Sequence, residues 1–472
     1  MGWIRPWKYL AEALAKMSFP FGKAPLWLFI LSILSALALA IFGPRAGGKA
    51  DLTFTLFHQK HLDAYLPVIE KFEREHGVKV QVQLVDVRAL PYRIKNAYMS
   101  GVGMPDLVEL ESSTFGFFTK GPLEDMAFLD LTDRLAAEGL AGKLVKSRLD
   151  GLSTRGRIFG IPHDVHPVML LYRKDILAEM GIDPDSIRTW EEFTKVGKRL
   201  TRDLDGDGEP DRFAVDMPDY GGDWLNLLML QRGGSLFDEH GKLTIDSEAI
   251  RETILWYIHQ ISGPDRIAFP AGWGQGFYSA MQDGVVAFVF APDWRAAMIE
   301  DGAPGLRGKL GMMPLPAWYP GGRRTSVHGG TGLMISRQCA RPDLAWDLAK
   351  ALYFDPEALN RSFSLTNTVS ARSDFWNLPA MNNPNPFFSN ELVGRRYAAL
   401  AAQTPSQFNT PYNSLAGGKV AEAMTQGRAY YEAHGDAGLR EFVGGKLREG
   451  SAYVESIMKR NVFLAEPESA SP

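Results

Sequence analysis

Residues 156–183, GRIFGIPHDVHPVMLLYRKDILAEMGID, contain two apolar extended stretches that a short polar segment separates. A proline ends the first stretch, and the second, residues 168–172, leads into a helical pattern that a glycine ends. Two strands divided in this way are typical of a chain that passes from one domain into another. His163, Asp164 and His166 belong to the polar segment, so they lie where a cleft between the two domains would open.

The composition limits the classes of protein to which the chain can belong. A length of 472 residues is too great for one ordinary core, so two domains are expected. Hydrophobic residues make up 45% and charged residues 22%, as in folded soluble proteins. A net charge of −4 gives no reason to expect a nucleic-acid partner. Cys339 is the single cysteine, which excludes an intramolecular disulfide and a cysteine-based metal site.

The N-terminal segment, residues 1–50, predicts export. An uncharged apolar run at 24–42 is long enough to cross a bilayer core of ~30 Å. Basic residues precede the run, which places the rest of the chain outside the membrane: Arg5, Lys8, Lys16 and Lys23. The long basic part favours an uncleaved anchor that tethers the protein to the cell membrane. A cleavable signal peptide is the alternative, because residues 38–40, Ala-Leu-Ala, resemble a cleavage site.

The region that follows alternates between strand and helix patterns. Apolar residues recur with strand, helix, strand, helix and strand periods over residues 51–57, 62–76, 78–84, 89–99 and 107–110. This order predicts a parallel α/β sheet, whose ligands bind beyond the carboxyl ends of the strands. Polar residues follow two of those ends, and each taken alone is as well explained by capping or solvation: His58, Gln59, Glu111, Ser112 and Ser113.

Aromatic side chains in the middle of the chain are candidates for a binding surface. Tyr220, Trp224 and Trp273 lie in glycine-rich stretches, and Trp294 follows the apolar strand 285–290. Aromatic residues inside helices are normally core, but these positions favour a surface on which the flat face of a sugar stacks.

Glycines mark a second candidate part of the site. Gly329 and Gly330 precede Thr331 and the apolar strand that follows it. Glycine lets the backbone approach a ligand closely or flex as a hinge, although a tight turn uses glycine equally well.

An acidic loop predicts a structural calcium ion or a simple turn. Asp203, Asp205 and Asp207 have the spacing that opens a calcium loop, and Asp211 follows. The twelfth position is Ala214 where a calcium loop has glutamate. Either the site is completed from elsewhere, or the loop is an acidic turn between a helix and a strand.

Several motifs occur in one order that resembles a known family. They are Gly-x-Pro at 160–162, a strand ending in Tyr172, Lys-Asp at 174–175, Thr-Trp-Glu-Glu-Phe at 189–193 and Pro-Asp at 105–106. Together they resemble the maltose-binding-protein-like extracellular solute-binding proteins of ABC importers, over essentially residues 51–462. The resemblance implies a two-lobed periplasmic-binding-protein fold of the α/β class. Each lobe would have a mostly parallel sheet flanked by helices, and crossover strands would join the lobes.

The resemblance also implies boundaries and ligand contacts. It divides the chain into a first lobe of residues 51–161 and 315–372, a second lobe of 162–314 and 373–462, and a polar tail of 463–472. It implies ligand contacts for His58, Gln59, Glu111 and Ser113. Loops at 367–373 and 408–412 close over the ligand in the family, which adds Arg372 and Tyr412 as candidates.

The function implied is capture of a mono- or oligosaccharide by a monomeric protein and delivery to ABC permease subunits and their ATPase. No cofactor and no catalytic residue are expected, and GxSxG, HExxH and a complete Walker A sequence are absent from the chain. His166 replaces a carboxylate that many sugar binders of the family carry, and Ser113 replaces Trp or Asp. An anionic ligand is therefore an alternative to a neutral sugar, since Arg323, Arg324 and Arg372 would suit one.

Two other functions stay open at this level. An exported carbohydrate-active hydrolase would need two converging carboxylates, such as Glu109 and Glu111. A membrane-tethered sensor would bind a solute without transporting it.

Overall fold

The computed structural model of the protein describes residues 24–42 and 50–463, which fall into two units divided after Asp51. In the first unit, helix α1, Ala24–Phe42, covers the apolar run. Over residues 24–42 and 50–463, no helix combines the length and hydropathy that a membrane span requires. The basic residues before the run and the tail after residue 463 lie outside the described residues. The anchor and the signal peptide both stay predictions.

The second unit alternates strands and helices. Its strands are β1 Leu52–Leu56, β2 Val80–Leu84, β3 Leu107–Glu111, β4 Ser153–Thr154, β5 Arg157–Ile158, β6 Ile161–Pro162, β7 Val168–Arg173, β8 Phe213–Asp216, β9 Ala268–Phe269, β10 Val286–Pro292, β11 Leu310–Pro314 and β12 Thr331–Ile335.

Helices pack between and around these strands. They are α2 Gln59–His76, α3 Leu90–Ser100, α4 Ser112–Phe115, α5 Thr132–Ala137, α6 Lys146–Asp150, α7 Lys174–Glu179, α8 Trp190–Leu200, α9 Gly222–Arg232, α10 Glu248–Ile261, α11 Gln275–Gln282, α12 Asp293–Gly302, α13 Pro342–Tyr353, α14 Pro356–Thr366, α15 Val393–Ala401, α16 Asn413–His434 and α17 Leu439–Met458. Short 3-10 turns lie at Gly116–Thr119, Leu123–Asp125, Ala141–Lys143, Pro184–Ser186, Pro304–Leu306, Ser373–Phe375, Pro379–Asn382 and Pro386–Phe388.

The first sheet has the strand order β2-β1-β3-β12-β6. Successive side chains point to opposite sides of the sheet, and strands β1, β3 and β12 are largely buried on both, whereas the edge strand β2 is only partly buried. In β3, Leu107 packs into one core with Phe54, while Val108 and Leu110 pack into a second core with Phe115. Helices cover both faces, as the strand–helix alternation predicts, and this sheet forms the first lobe.

The second sheet has the strand order β11-β7-β10-β8-β9 and forms the second lobe. The side chains of β7 alternate between two cores, with Leu170 in the first and Leu171 in the second. Helix α8 begins with a capping box, in which the Thr189 hydroxyl accepts the backbone N–H of Glu192 and the Glu192 carboxylate accepts the backbone N–H of Thr189.

Both sheets are mixed rather than mostly parallel. In the first, β1 is parallel to β2 and β3, whereas β12 is antiparallel to β3 and β6. In the second, β8 is parallel to β9 and β10, whereas β7 is antiparallel to β10 and β11. The antiparallel strands lie where the chain passes between lobes, because a crossing chain enters the new sheet against the direction of its resident strands.

The polar segment of the opening stretch does connect the two sheets. Strand β6 belongs to the first sheet, and β7 begins the second. The return crossing lies near residues 328–330 rather than at 315, because Ala317 pairs with Thr189 and Val327 with Pro167, beside the second sheet. A third segment runs alongside the first crossing, where Ser370 pairs with Asp164.

Candidate functional site

A cavity of about 570 Å³ lies against the end of β3 and the return crossing. Its volume falls within the range of small-molecule sites, ~300–1,000 Å³. Four stretches of chain line it: Glu111 to Ser113; Gly222, Asp223, Leu225, Asn226, Met229, Leu230, Ser235 and Leu236; His328 to Gly330; and Gln407 to Asn409 with Asn413, Ser414, Gly417, Val420 and Ala421. The wall therefore combines carboxylate, amide and hydroxyl groups with apolar patches from α9 and α16.

Glu111 and Ser113 lie in the cavity wall, where the position of β3 predicts them. Glu111 is the last residue of β3, and α4 begins immediately after it. The backbone N–H of Ser112 donates to the carbonyl of Gly330 at 2.8 Å, which joins this wall to the return crossing. Desolvation by the surrounding protein, followed by the negative charge of Asp223, raises the pKa of Glu111 above its ordinary value.

Gly329 and Gly330 form the back of the cavity, with φ of 88° and 137°. A Cβ atom at Gly330 would lie 1.6 Å from Nη2 of Arg148, so a larger residue has no room there. Arg148 is buried and donates from Nη2 to the carbonyl of Gly329 at 3.0 Å. Because Arg148 occupies the space that a side chain at Gly330 would need, only glycine fits there, and its bare backbone lines the cavity.

His166 lies behind this wall, in a buried charge network, and not in the cavity lining. Its Nδ1 is 2.5 Å from Oδ1 of Asp293, and its Nε2 is 3.1 Å from Oδ2 of Asp164. Burial disfavours the imidazolium, but the two carboxylates outweigh burial and raise the pKa of His166 to about 9. The network joins the first crossing to α12 and also to the third segment, whose Val369 N–H donates to Asp293.

The predicted aromatic surface divides into exposed and buried rings. Trp273 is 49% exposed and lies nearly parallel to Trp294, with ring centroids 6.2 Å apart. Trp294 is half-buried and donates from Nε1 to the carbonyl of His328 at 3.0 Å, beside the cavity wall. Trp224, in contrast, is 3% exposed and belongs to the core, because the first turn of α9 points it inward onto Phe290. Tyr220 is exposed but outside the cavity lining.

Three further predicted residues lie away from the cavity lining: His58, Gln59 and Thr331. Burial, and then the charge of His61, lower the pKa of His58 to about 4. The amide of Gln59 donates to Asp63 on the exposed face of α2. Thr331 is buried at the start of β12.

Arg372 and Tyr412 serve the core rather than the cavity. Arg372 is 5% exposed, donates to both oxygens of Asp374 and lies over the ring of Phe375. Tyr412 is 7% exposed and packs into the core of the second lobe. Both were predicted from loop position, which does not show the direction in which a side chain points.

The carboxylate pair considered for a hydrolase does not converge. Glu109 is fully buried, where it accepts hydrogen bonds from the hydroxyls of Tyr65 and Tyr353. Its Oε1 lies 2.6 Å from Nδ1 of His61. Only Glu111 of the pair reaches the cavity.

Sequence reasoning missed several polar residues of the lining. Asp223 and Asn226 lie on α9, and Asn409 and Asn413 precede or begin α16. These residues lie in or next to the glycine-rich stretch at 220–224 and the loop at 408–412, where the sequence predicts Tyr220, Trp224 and Tyr412 instead. On α9, the buried Trp224 lies only one or two residues from Asp223 and Asn226, which face the cavity. The periodicity of apolar residues alone does not show which of these side chains faces the cavity.

The acidic loop brings Asp203, Asp205 and Asp211 together, with one carboxylate oxygen of each within 4.8 Å of the others. Asp207 is not in this group and instead accepts the backbone N–H of Glu209. Ala214, at the twelfth position, is buried in β8, so the loop supplies no ligand there. Calcium binding stays a prediction.

Comparison with known proteins identifies the family. The sequence profile described as "Bacterial extracellular solute-binding protein" matches residues 59–358. The chain belongs to this family. It is therefore a solute-binding protein of the periplasmic-binding-protein fold, and membership implies a location outside the cytoplasm.

Relatives of this solute-binding protein include two named arabinooligosaccharide-binding proteins. That of Halalkalibacterium halodurans is 28% identical over 74% of this chain and 77% of the relative. That of Bacillus subtilis is 26% identical over 76% of this chain and 83% of the relative. The solved structure of the sugar-binding protein MalE from Xanthomonas citri is similar with a TM-score of 0.69 and 19% identity, over 87% of this chain and 99% of that one. The likeness to MalE confirms the two-lobed fold.

Proposed function

We propose that this protein captures a carbohydrate in the cavity between its lobes and delivers it to the permease subunits of an ABC importer, whose separate ATPase drives transport. The protein acts as a monomer outside the membrane. The observation that carries the proposal is the cavity wall, in which polar groups of both lobes and of the return crossing face one space.

The chemistry of the wall supports a sugar ligand. Sugar hydroxyls both donate and accept hydrogen bonds, and the wall offers carboxylates, amides and hydroxyls such as Asp223, Asn226 and Ser113. Apolar patches, including Leu225 and Val420, match the C–H faces of a sugar ring. The names of the arabinooligosaccharide-binding relatives and of a lactose-binding relative from Rhizobium radiobacter support the same ligand class.

A thermal-shift screen tests the proposal. The purified protein is melted with arabinotriose, lactose, maltotriose, uronate oligosaccharides and polyol phosphates. A ligand present at a hundredfold above its dissociation constant should stabilise the fold by ~2.7 kcal/mol. Stabilisation by at least one saccharide supports the proposal, and the absence of any shift with every saccharide contradicts it.

We further propose that the protein has no hydrolase activity, since Glu109 is buried in the core and does not face the cavity. Incubation with a saccharide that binds should return the saccharide unchanged, as measured by chromatography. Release of shorter sugars would contradict this proposal.

The N-terminal segment is proposed to tether the protein to the cell membrane, on the basis of the apolar run at residues 24–42 and the basic residues before it. Full-length protein is then expected in the membrane fraction after cell lysis. Recovery of a soluble form whose N-terminus begins near Ile41 would show a cleaved signal peptide instead. Sequencing of the N-terminus distinguishes the two results.

A further inference from the structure

Two carboxylates face the cavity. Glu111 ends β3 on one side, and Asp223 lies in the first turn of α9 on the other, with a side chain that is 67% exposed. His328 is the remaining titratable group of the lining, with Nε2 3.6 Å from Asp223. Burial lowers the pKa of His328, and the interaction with this histidine lowers the pKa of Asp223. No lysine or arginine lines the cavity within residues 50–463.

The charges behind the wall do not offset this negative potential. Arg148 and His166 are buried there with Asp164 and Asp293, so two cations face two carboxylates within the network. At separations of 2.5–3.5 Å, these opposite charges neutralise one another within the network. The network therefore contributes little net charge to the cavity.

Helix ends contribute a smaller, opposite charge. The amino ends of α9 and α16 both reach the cavity, through Gly222 and Asn413. Each end carries ~+0.5 elementary charge, which would by itself attract an anion. Two full carboxylate charges exceed the sum of the two helix ends. The net field at the cavity is negative.

The arginines that would suit an anionic ligand have other partners. Arg323 donates to the carbonyl of Leu230 at 3.0 Å, and Arg324 donates to that of Leu315 at 3.0 Å. Arg372 is paired with Asp374.

We propose that the cavity selects uncharged or cationic saccharides and rejects saccharides that carry a carboxylate or phosphate, and that Asp223 and Glu111 are the residues that set this selectivity. The inference rests on the proposed function, since it concerns the class of saccharide that the same cavity accepts. Selectivity of this kind works through a repulsive element against the wrong ligand as much as through contacts to the right one.

A charge series on fixed sugar scaffolds tests the proposal. Lactose and arabinotriose are each converted at the reducing end into the neutral alditol, the anionic aldonic acid and the cationic 1-amino alditol. The three derivatives share an open-chain end and differ in charge. Calorimetric affinities are measured at pH 8, well above the ordinary pKa range of carboxylic acids, and in low salt, where charges are little screened. Like charges a few ångströms apart at a protein surface should weaken binding of the acid by roughly tenfold or more relative to the alditol.

Variants then assign the effect to the two carboxylates. Asp223→Asn, Glu111→Gln and the double variant should bring the affinity of the acid towards that of the alditol, with the double variant closest. Asp246→Asn removes an exposed carboxylate outside the cavity and serves as the matched control, which should keep the wild-type ratio. Thermal melting of each variant confirms folding.

The outcomes separate this inference from the proposed function. Tighter binding of the alditol than of the acid, with a ratio that falls in the cavity variants alone, supports the inference. Binding of the acid at least as tight as that of the alditol, or a ratio unchanged in the double variant, overturns it while the proposed function stands. If the folded protein binds none of the derivatives and neither parent sugar, and no saccharide of the thermal-shift screen stabilises it, both are overturned.

Discussion

Trp294 connects the aromatic stack to the cavity wall. Its ring lies nearly parallel to the exposed ring of Trp273, and its indole N–H holds the carbonyl of His328. The residue directly after His328 is Gly329, whose backbone lines the cavity. Trp294 therefore supports the wall through its edge while part of its ring stays accessible; it lies outside the cavity lining, and its stacking against a sugar stays a prediction.

Replacement of Trp294 by alanine should weaken saccharide binding by tenfold to a hundredfold, because a stacked ring contributes ~2 kcal/mol. It should also lower the free energy of unfolding by ~1–3 kcal/mol, since the half-buried ring and its hydrogen bond are both lost. Trp294→Phe keeps a ring and should cost ~1 kcal/mol of stability. Urea denaturation and calorimetry measure both effects.

Tyr92→Ala is a control for the Trp294 variants, since Tyr92 is an exposed aromatic residue outside the cavity lining. This control should change neither stability nor affinity appreciably. An affinity that does not change in Trp294→Ala would show that the ring belongs to the structural support alone.

His166 is expected to make the free energy of unfolding fall as the pH becomes alkaline. Its pKa is about 9 in the folded protein against an ordinary value of 6.5, so folding favours the protonated form. That contribution is fully present below pH 6.5 and is lost as pH rises through 9. A shift of this size corresponds to a stability difference of about 3 kcal/mol in order of magnitude.

His166→Asn should remove this alkaline loss of stability, and asparagine tolerates the left-handed backbone of this position, φ 54°. Chemical denaturation at pH 6 and pH 9.5 measures the difference for the wild type and for each variant. His240→Asn removes an exposed histidine and should retain the wild-type pH dependence. Equal pH dependence in the wild type and His166→Asn would contradict the assignment.

Among the elements, the loop between α8 and β8 holds its acidic residues in place with backbone hydrogen bonds. Asp203 accepts the N–H groups of Gly206 and Gly208 at 2.6 and 2.9 Å. These bonds lower the pKa of Asp203. The same geometry serves an acidic turn and a calcium loop, so the ion has to be tested directly.

The calcium hypothesis predicts that a chelator lowers the melting temperature of the wild type. Asp205→Ala should abolish that sensitivity, because Asp205 belongs to the group of three converging carboxylates. Asp207→Ala should keep it, since Asp207 lies outside the group. Identical melting of the wild type with and without chelator would leave the loop as a turn.

Across the whole molecule, the segment before α16 joins the two lobes beside the cavity. The amide of Asn409 donates to the carbonyls of Ser112 and Gly151 at 2.8 and 2.7 Å, on the side of the first lobe. Nearby, a Cβ at Gly116 would lie 2.3 Å from the carbonyl oxygen of Thr410, so the two backbones are in direct contact. Helix α16 then packs into the core of the second lobe through residues such as Val420.

Asn409→Ala should loosen this connection and favour separation of the lobes. The radius of gyration of the ligand-free variant, measured by small-angle scattering, is expected to exceed that of the wild type. Affinity for a saccharide should fall several-fold, because closure must then overcome a larger difference in free energy between the open and closed states. Asn382→Ala, which removes a hydrogen-bonded amide outside the cavity, should leave both quantities unchanged.

The sequence by itself determined the elements and the family. The first strands, β1 to β3, and the crossing from β6 to β7 lie close to their predicted positions, and a capping box opens α8 at Thr189. These features follow from local rules, because the period of apolar residues and the chemistry of caps and turns act over a few residues. The order of motifs along the chain was enough to indicate the fold.

Only the tertiary structure decided which side chains meet in the cavity. Trp224 turns into the core while its neighbour Asp223 faces the cavity, and Arg372 pairs with Asp374. The cavity takes its wall from stretches around residues 111, 225, 329 and 410, which are far apart in the chain. Their convergence depends on how the two sheets and their crossings pack. No local sequence pattern predicts it, because the direction of each side chain depends on which face of its element is buried against residues distant in the chain.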